Sequence, residues 1–159
     1  MKILEGDLSV GDLRIALAAS RFNASVVERL VTGAAEALAS HGANPAGLEL
    51  VRVPGAFDLP PVVRRMALSR RFDAIVALGA VIRGDTPHFE FVAAECASGL
   101  ARVSYETGVP VAFGVLTTDS WEQAEARAGD GRDNKGFEAA AAALEMAELF
   151  ASVRKAHRR

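Results

Sequence analysis

Apolar runs of strand length alternate along this chain with segments whose apolar residues recur at helical spacing. Residues 14–19 read as a strand that ends at the polar turn Ser20-Arg21-Phe22-Asn23. Ser25 and Glu28 have capping-box spacing, and Val27, Leu30, Val31, Ala34 and Leu38 share one helical face that stops at Gly42. Residues 48–53 form the second strand, followed by Pro54-Gly55-Ala56-Phe57-Asp58. Pro60 and Pro61 fit only the first turn of a helix, so the next helix starts there and carries Val62, Val63 and Met66 inward.

The third strand is the run 74–80, and after it Gly84-Asp85-Thr86 forms a loop before Pro87 opens a helix to about Thr107, with Gly108-Val109-Pro110 as its stop. Residues 111–116 are the fourth strand. Asp119 or Ser120 caps a short helix with Trp121 and Ala124, over by Gly129, and after the polar loop 130–133 the last helix runs from about Asn134 to Lys155. Its apolar positions fall on two sides, Phe137, Ala140, Ala141, Leu144 and Ala147 on one, Met146, Leu149, Phe150 and Val153 on the other. A second stripe implies burial against another element or another subunit.

Short apolar strands separated by helices predict an α/β fold, a four-stranded parallel sheet with right-handed crossovers and helices on both faces. Ligands in such sheets bind outside the carboxyl ends of the strands. The 159 residues fit one domain, 1–159, and a chain of this size buries roughly 70% of its unfolded surface. Half the residues are apolar but only 6% are aromatic, so the core is built of small side chains that let helices approach closely. Four strands are few for this class, and with the two-sided last helix they point to an obligate oligomer.

A net charge of −2 with acids and bases interspersed gives no field for nucleic acid or a membrane surface. The one basic cluster, Arg154 to Arg159, reads as a solvated helix end. Cys96 is the sole cysteine, in line with Phe89, Val92, Leu100 and Val103, and reads as a buried hydrophobe; no multi-cysteine metal site is available. No apolar stretch approaches the roughly 20 residues that span a bilayer, and residues 1–7 lack the apolar core of a signal peptide. A cytoplasmic protein is expected.

The chemistry concentrates after the strands. Strand, glycine loop and helix N-terminus at residues 79–89 make an anion site, because unpaired N–H groups and the positive end of the helix dipole face one point. Gly79, four residues, Gly84 and Thr86 approximate a phosphate-loop pattern, but Asp85 stands where its lysine belongs, which argues against a nucleotide triphosphatase. A monophosphate needs only backbone N–H groups, the Thr86 hydroxyl and one cation, for which Arg127 is the candidate. His88 is either a polar cap of the helix or a proton-transfer group, and beside an anion loop the second reading gains weight. Phe22 is a staple onto the following helix or a platform for a flat ligand. Asp58 caps the helix at Pro60, or accepts hydrogen bonds from a polyol, or both.

Five motifs occur in order: Ser20-Arg21-Phe22-Asn23, Val53 through Asp58, Gly79 through Phe89, Phe113-Gly114-Val115-Leu116-Thr117, and Arg127-Ala128-Gly129 with Asn134-Lys135-Gly136. Together they resemble the 6,7-dimethyl-8-ribityllumazine synthase family across essentially the whole chain. The resemblance implies a three-layer, flavodoxin-like sandwich assembled as homopentamers, in many members as a 60-subunit icosahedral shell, with riboflavin synthase as a possible companion. It implies condensation of 5-amino-6-(D-ribitylamino)uracil with 3,4-dihydroxy-2-butanone 4-phosphate, without cofactor or metal. It also implies site roles. Phe22 stacks on the pyrimidine, Ala56, Phe57 and Asp58 hold the ribityl chain and ring edge, and backbone groups of Ala80, Val81 and Ile82 complete that pocket. Asp85 and Thr86 bind phosphate, His88 moves protons, Phe113 and Arg127 enter from the neighbouring subunit, and Lys135 adds positive potential. Asp58 departs from the family's more frequent glutamate, and the loop 130–133 differs in composition from the usual one. The archaeal type of riboflavin synthase and a non-catalytic flavin-binding or shell-forming protein are the competing readings; the first would have no use for a phosphate site, so Thr86 and Arg127 argue against it, and His88 with the phosphate loop weighs against the second.

Overall fold

The computed structural model describes residues 1–158, so of the basic C-terminal cluster Arg159 lies outside the described residues. Four strands, β1 (Ile15–Ser20), β2 (Glu49–Val53), β3 (Ala74–Ile82) and β4 (Val111–Thr118), pair in parallel in the order β2-β1-β3-β4. Helices α1 (Ala24–Ser40), α2 (Leu59–Leu68), α3 (His88–Thr107), α4 (Trp121–Arg127) and α5 (Lys135–Ala156) connect and follow them. The expected α/β architecture is the observed one.

Both faces of the sheet are covered, and the period-2 alternation of the strands sorts the core into two layers. Ile15, Leu17 and Ala19 of β1 with Val76 and Leu78 of β3 pack on α1 and α5, through Leu30, Ala34, Ala140 and Ala143. Ala16, Ala18, Ile75 and Ala77 face the other way, onto Leu59 and Val63 of α2 and Cys96 and Leu100 of α3. Burial pushes the Cys96 thiol up to about 11, so it is the inert core residue its helical spacing predicts.

Small residues fix the helix crossings. A Cβ on Gly136 would run into the backbone carbonyl of Leu30, so α5 starts against α1 only because position 136 is bare. Asn134 locks that junction from inside. It is 2% exposed, and its Oδ1 accepts from Gly136 N at 2.8 Å and Phe137 N at 3.2 Å, while its Nδ2 donates to Arg29 O at 2.9 Å and Gly129 O at 2.8 Å. All four of its hydrogen-bonding positions are filled. The other stripe of α5 is less covered among the described residues: Met146 and Val153 are exposed, and Leu149 and Phe150 only half-buried.

Several expectations shift. Ser25 and Glu28 do not form a capping box, because α1 begins at Ala24 and Glu28 instead accepts from Arg52 Nη2 at 2.9 Å. Strands β3 and β4 each run two residues further than their apolar runs, since parallel pairing continues through Val81↔Thr117 and Ile82↔Thr118. Helix α2 starts one residue before Pro60.

Candidate active site

The strand order changes direction between β1 and β3, whose connections leave to opposite faces, α1 to one and α3 to the other. That is the crevice where ligands of doubly wound sheets bind. A cleft of about 400 Å³ opens there.

One wall is the loop after β1. Arg21 N donates to Val53 O at 2.8 Å and Phe22 N to Pro54 O at 3.1 Å, so the loop is tied to the end of β2. Asn23 takes a left-handed conformation, φ 59°, and its Nδ2 donates to Ala80 O at 2.8 Å. The loop is therefore fixed, yet Phe22 at its tip is 71% exposed. A staple would be covered by the helix it pins, so the staple reading of Phe22 fails and its ring lies open on the cleft.

Next to it is the turn Ala56–Asp58, which places Ala56 and a 60% exposed Phe57 on the cleft. Asp58 does not cap α2 with its side chain. Its Oδ2 accepts from Gly55 N at 3.0 Å, because the residues it would have capped include Pro60 and Pro61, which carry no N–H. The carboxylate organises the turn that presents Phe57.

The floor is the end of β3. Pairing with β1 ends beside Ala19↔Leu78, so Ala80, Val81 and Ile82 project beyond it. Arg83 N donates across to Thr118 O at 2.9 Å, and alternation therefore turns the backbone groups of Ala80 and Ile82 to the β1 side. Asn23 already holds the Ala80 carbonyl, which leaves Ile82. Gly79, by contrast, is buried within β3, where a Cβ would lie 2.8 Å from Ser20 Oγ. It is a packing glycine, and the exposed loop is the shorter segment 84–87.

Gly84, Thr86 and His88 line the third side, with Asp85 exposed on the same loop but off the cleft surface. His88 is the first residue of α3 and is exposed. Arg83 sits behind the loop, paired with Asp119 and Glu90; those hydrogen bonds raise its pKa above the ordinary value and keep it charged. Nothing in the sequence reading assigned Arg83, Asn23 or Glu138 a role. The signal for Asn23 was its type, since asparagine tolerates the left-handed region.

Phe113, Arg127 and Lys135 lie elsewhere. They line a second cleft, of about 390 Å³, on the outer side of β4, where Phe113 is 47% exposed. Phe113 pairs in register with Ala77, so it sits about 16 Å along the strand from the Ile82 level, at ~3.3 Å per residue. Arg127 Nη1 donates to Gln123 O at 3.0 Å, and Lys135 Nζ lies 2.6 Å from Glu138 Oε2. Lys135 thus has a carboxylate partner, Glu138, on the same cleft.

Fold and cleft define a doubly wound α/β protein with an open cleft at its strand ends. The family model for 6,7-dimethyl-8-ribityllumazine synthase matches residues 12–151. The chain belongs to the 6,7-dimethyl-8-ribityllumazine synthase family, and its activity is that of a transferase of riboflavin biosynthesis.

Proposed function

We propose that the two clefts are halves of one active site, closed where the Phe22–His88 half of one subunit meets the Phe113–Arg127 half of the next. The observation that carries this is the split itself. Residues expected to share two substrates are gathered into two open clefts of similar size on one chain, one at the end of β3 and one on the outer side of β4, with no lining residue in common.

In the joined site Phe22 stacks on the pyrimidine, and Phe113 of the neighbouring subunit closes over it. The Ile82 backbone reads the ring edge, and Ala56 and Phe57 flank the ribityl chain. Asp58, tied back to Gly55, reaches that chain with its remaining oxygen or through water. The 84–87 loop takes the phosphate through backbone N–H groups and the Thr86 hydroxyl, with Arg127 supplying the cation and Asp85 shaping the loop. Lys135, already paired with Glu138, acts at longer range.

The reaction needs no enzyme nucleophile: amine attacks ketone, the imine forms between the substrates, phosphate leaves, and the ring closes. Each step moves a proton, which His88 at the loop's edge is placed to do. Holding both substrates in one pocket contributes up to ~7–11 kcal/mol toward the barrier, and acid–base help ~10²–10⁴-fold more. Homopentamers, and sixty-subunit shells built from them, would supply the shared interfaces and cover the less covered stripe of α5; riboflavin synthase is the companion such a shell would enclose. Light scattering separates five or sixty copies of the 16.7 kDa chain from a monomer.

The test is complementation in mixed assemblies. A Phe22→Asp, His88→Ala chain and a Phe113→Asp, Arg127→Ala chain each have only damaged sites. Co-assembled, some interfaces pair two intact halves and activity returns. Verified mixed assemblies no more active than either parent would return the site to a single chain.

A further inference from the structure

Resting on the phosphate reading of the 84–87 loop above, we propose that Arg83 is a positioning residue that holds the anion loop at its working span. Residues 84–87 are all exposed, and a Cβ built on Gly84 meets nothing within 4 Å, so no packing fixes the loop's shape. What fixes it is at its two ends, and Arg83 grips both.

At the near end its backbone N–H donates to Thr118 O at 2.9 Å, which makes Arg83 the last residue fastened to β4. At the far end its Nη1 donates to Glu90 Oε1 at 3.2 Å, and the guanidinium carbon lies 4.5 Å from the centre of the Phe89 ring. Phe89 and Glu90 belong to the first turn of α3, directly after His88. A third tie runs sideways, from Nε to Asp119 Oδ1 at 2.8 Å, onto the connection between β4 and α4. One side chain thus joins the end of β3, the start of α3 and the loop beyond β4.

Two carboxylates already hold this guanidinium, so its charge is not free for a phosphate. Its contribution is geometric. A planar fork donates in two directions and stacks on a ring at once, and an ammonium on a flexible stem does not. The loop's N–H groups and His88 then face the phosphate subsite without first having to be ordered, which is how positioning reaches the rate.

The assembled enzyme is compared with Arg83→Gln and Arg83→Lys, both tolerable at a side chain that is 41% exposed. Three quantities are read: KM for the butanone phosphate, KM for the ribitylaminouracil, and the dissociation constant of inorganic phosphate by calorimetry. Both variants are expected to weaken phosphate and the phosphorylated substrate about tenfold, the scale of lost charge-assisted hydrogen bonds, with the pyrimidine KM within about twofold. Phosphate binding restored by lysine would make Arg83 a charge and overturn the proposal. So would an equal rise in both KM values, which marks general scaffolding, or no change. A wild type that makes no lumazine defeats the active-site reading separately, since the phosphate titration needs no turnover.

Discussion

Asn23 and Ala80 are joined by one hydrogen bond, side-chain Nδ2 to carbonyl oxygen at 2.8 Å, that fastens the loop after β1 to the projecting end of β3. It holds Phe22 on the cleft without covering its ring. Asn23→Asp keeps a residue that tolerates the left-handed region but removes the donor and sets a carboxylate against the carbonyl. Binding of the ribitylaminouracil is expected to weaken about tenfold, the worth of one hydrogen bond plus the repulsion left behind. Equilibrium binding measured by quenching of ligand fluorescence checks it; unchanged affinity would mean the loop is held by its ties to Val53 and Pro54 alone.

His88 is exposed, at the start of α3 beside the 84–87 loop, and no core packing depends on it. His88→Ala is expected to lower turnover roughly 10²–10⁴-fold, the usual range for a lost acid–base group, with thermal stability and assembly size unchanged. A wild-type rate from the variant would leave substrate proximity as the source of catalysis.

Arg127 tests the other half-site. Its guanidinium is exposed, and its Nη1 donates to the Gln123 carbonyl within α4. Arg127→Ala is expected to raise KM for the butanone phosphate at least tenfold and leave that for the pyrimidine nearly unchanged, because a charge-assisted contact to phosphate is lost. Steady-state kinetics with each substrate varied in turn decides this, and parallel losses would make Arg127 a structural residue.

The layers of this fold were legible because β1, β3 and β4 are built on continuous apolar runs and Gly42, Pro60, Pro61 and Gly108 punctuate the helices. The start of α5 at Asn134 was legible too, although nothing local announces that its amide also spans to Arg29, 105 residues away. What the sequence concealed depended on distant pairing. Two extra residues of β3 come from β4 beside it, and the side chain of Asp58 turns back to Gly55 because of prolines further on. The staple reading of Phe22 is settled by exposure, which spacing does not encode. The separation of Phe113 and Arg127 from His88 was anticipated from the family resemblance, not from any pattern in the residues themselves.

The last prediction concerns the small residues that let α5 lie on α1. At Gly136 a Cβ would collide with the Leu30 backbone, which no side-chain rotation relieves, and with the Asn134 amide that caps the helix. Alanine is the better helix former by roughly 1 kcal/mol, so propensity alone predicts stabilisation. Overpacking against backbone costs about 1–3 kcal/mol or more and should win, because relief requires the two helices to separate and opens the four-bonded Asn134 junction. Gly136→Ala is therefore expected to be destabilised. Gly47 is the matched control: nothing lies within 4 Å of a Cβ there and its φ is not positive, so Gly47→Ala should be neutral or stabilised by about 0.4–1 kcal/mol through the unfolded chain. Urea unfolding of both variants measures the difference. A Gly136→Ala protein as stable as the control would show that α5 rides on α1 with room to spare, and that Asn134 alone sets the crossing.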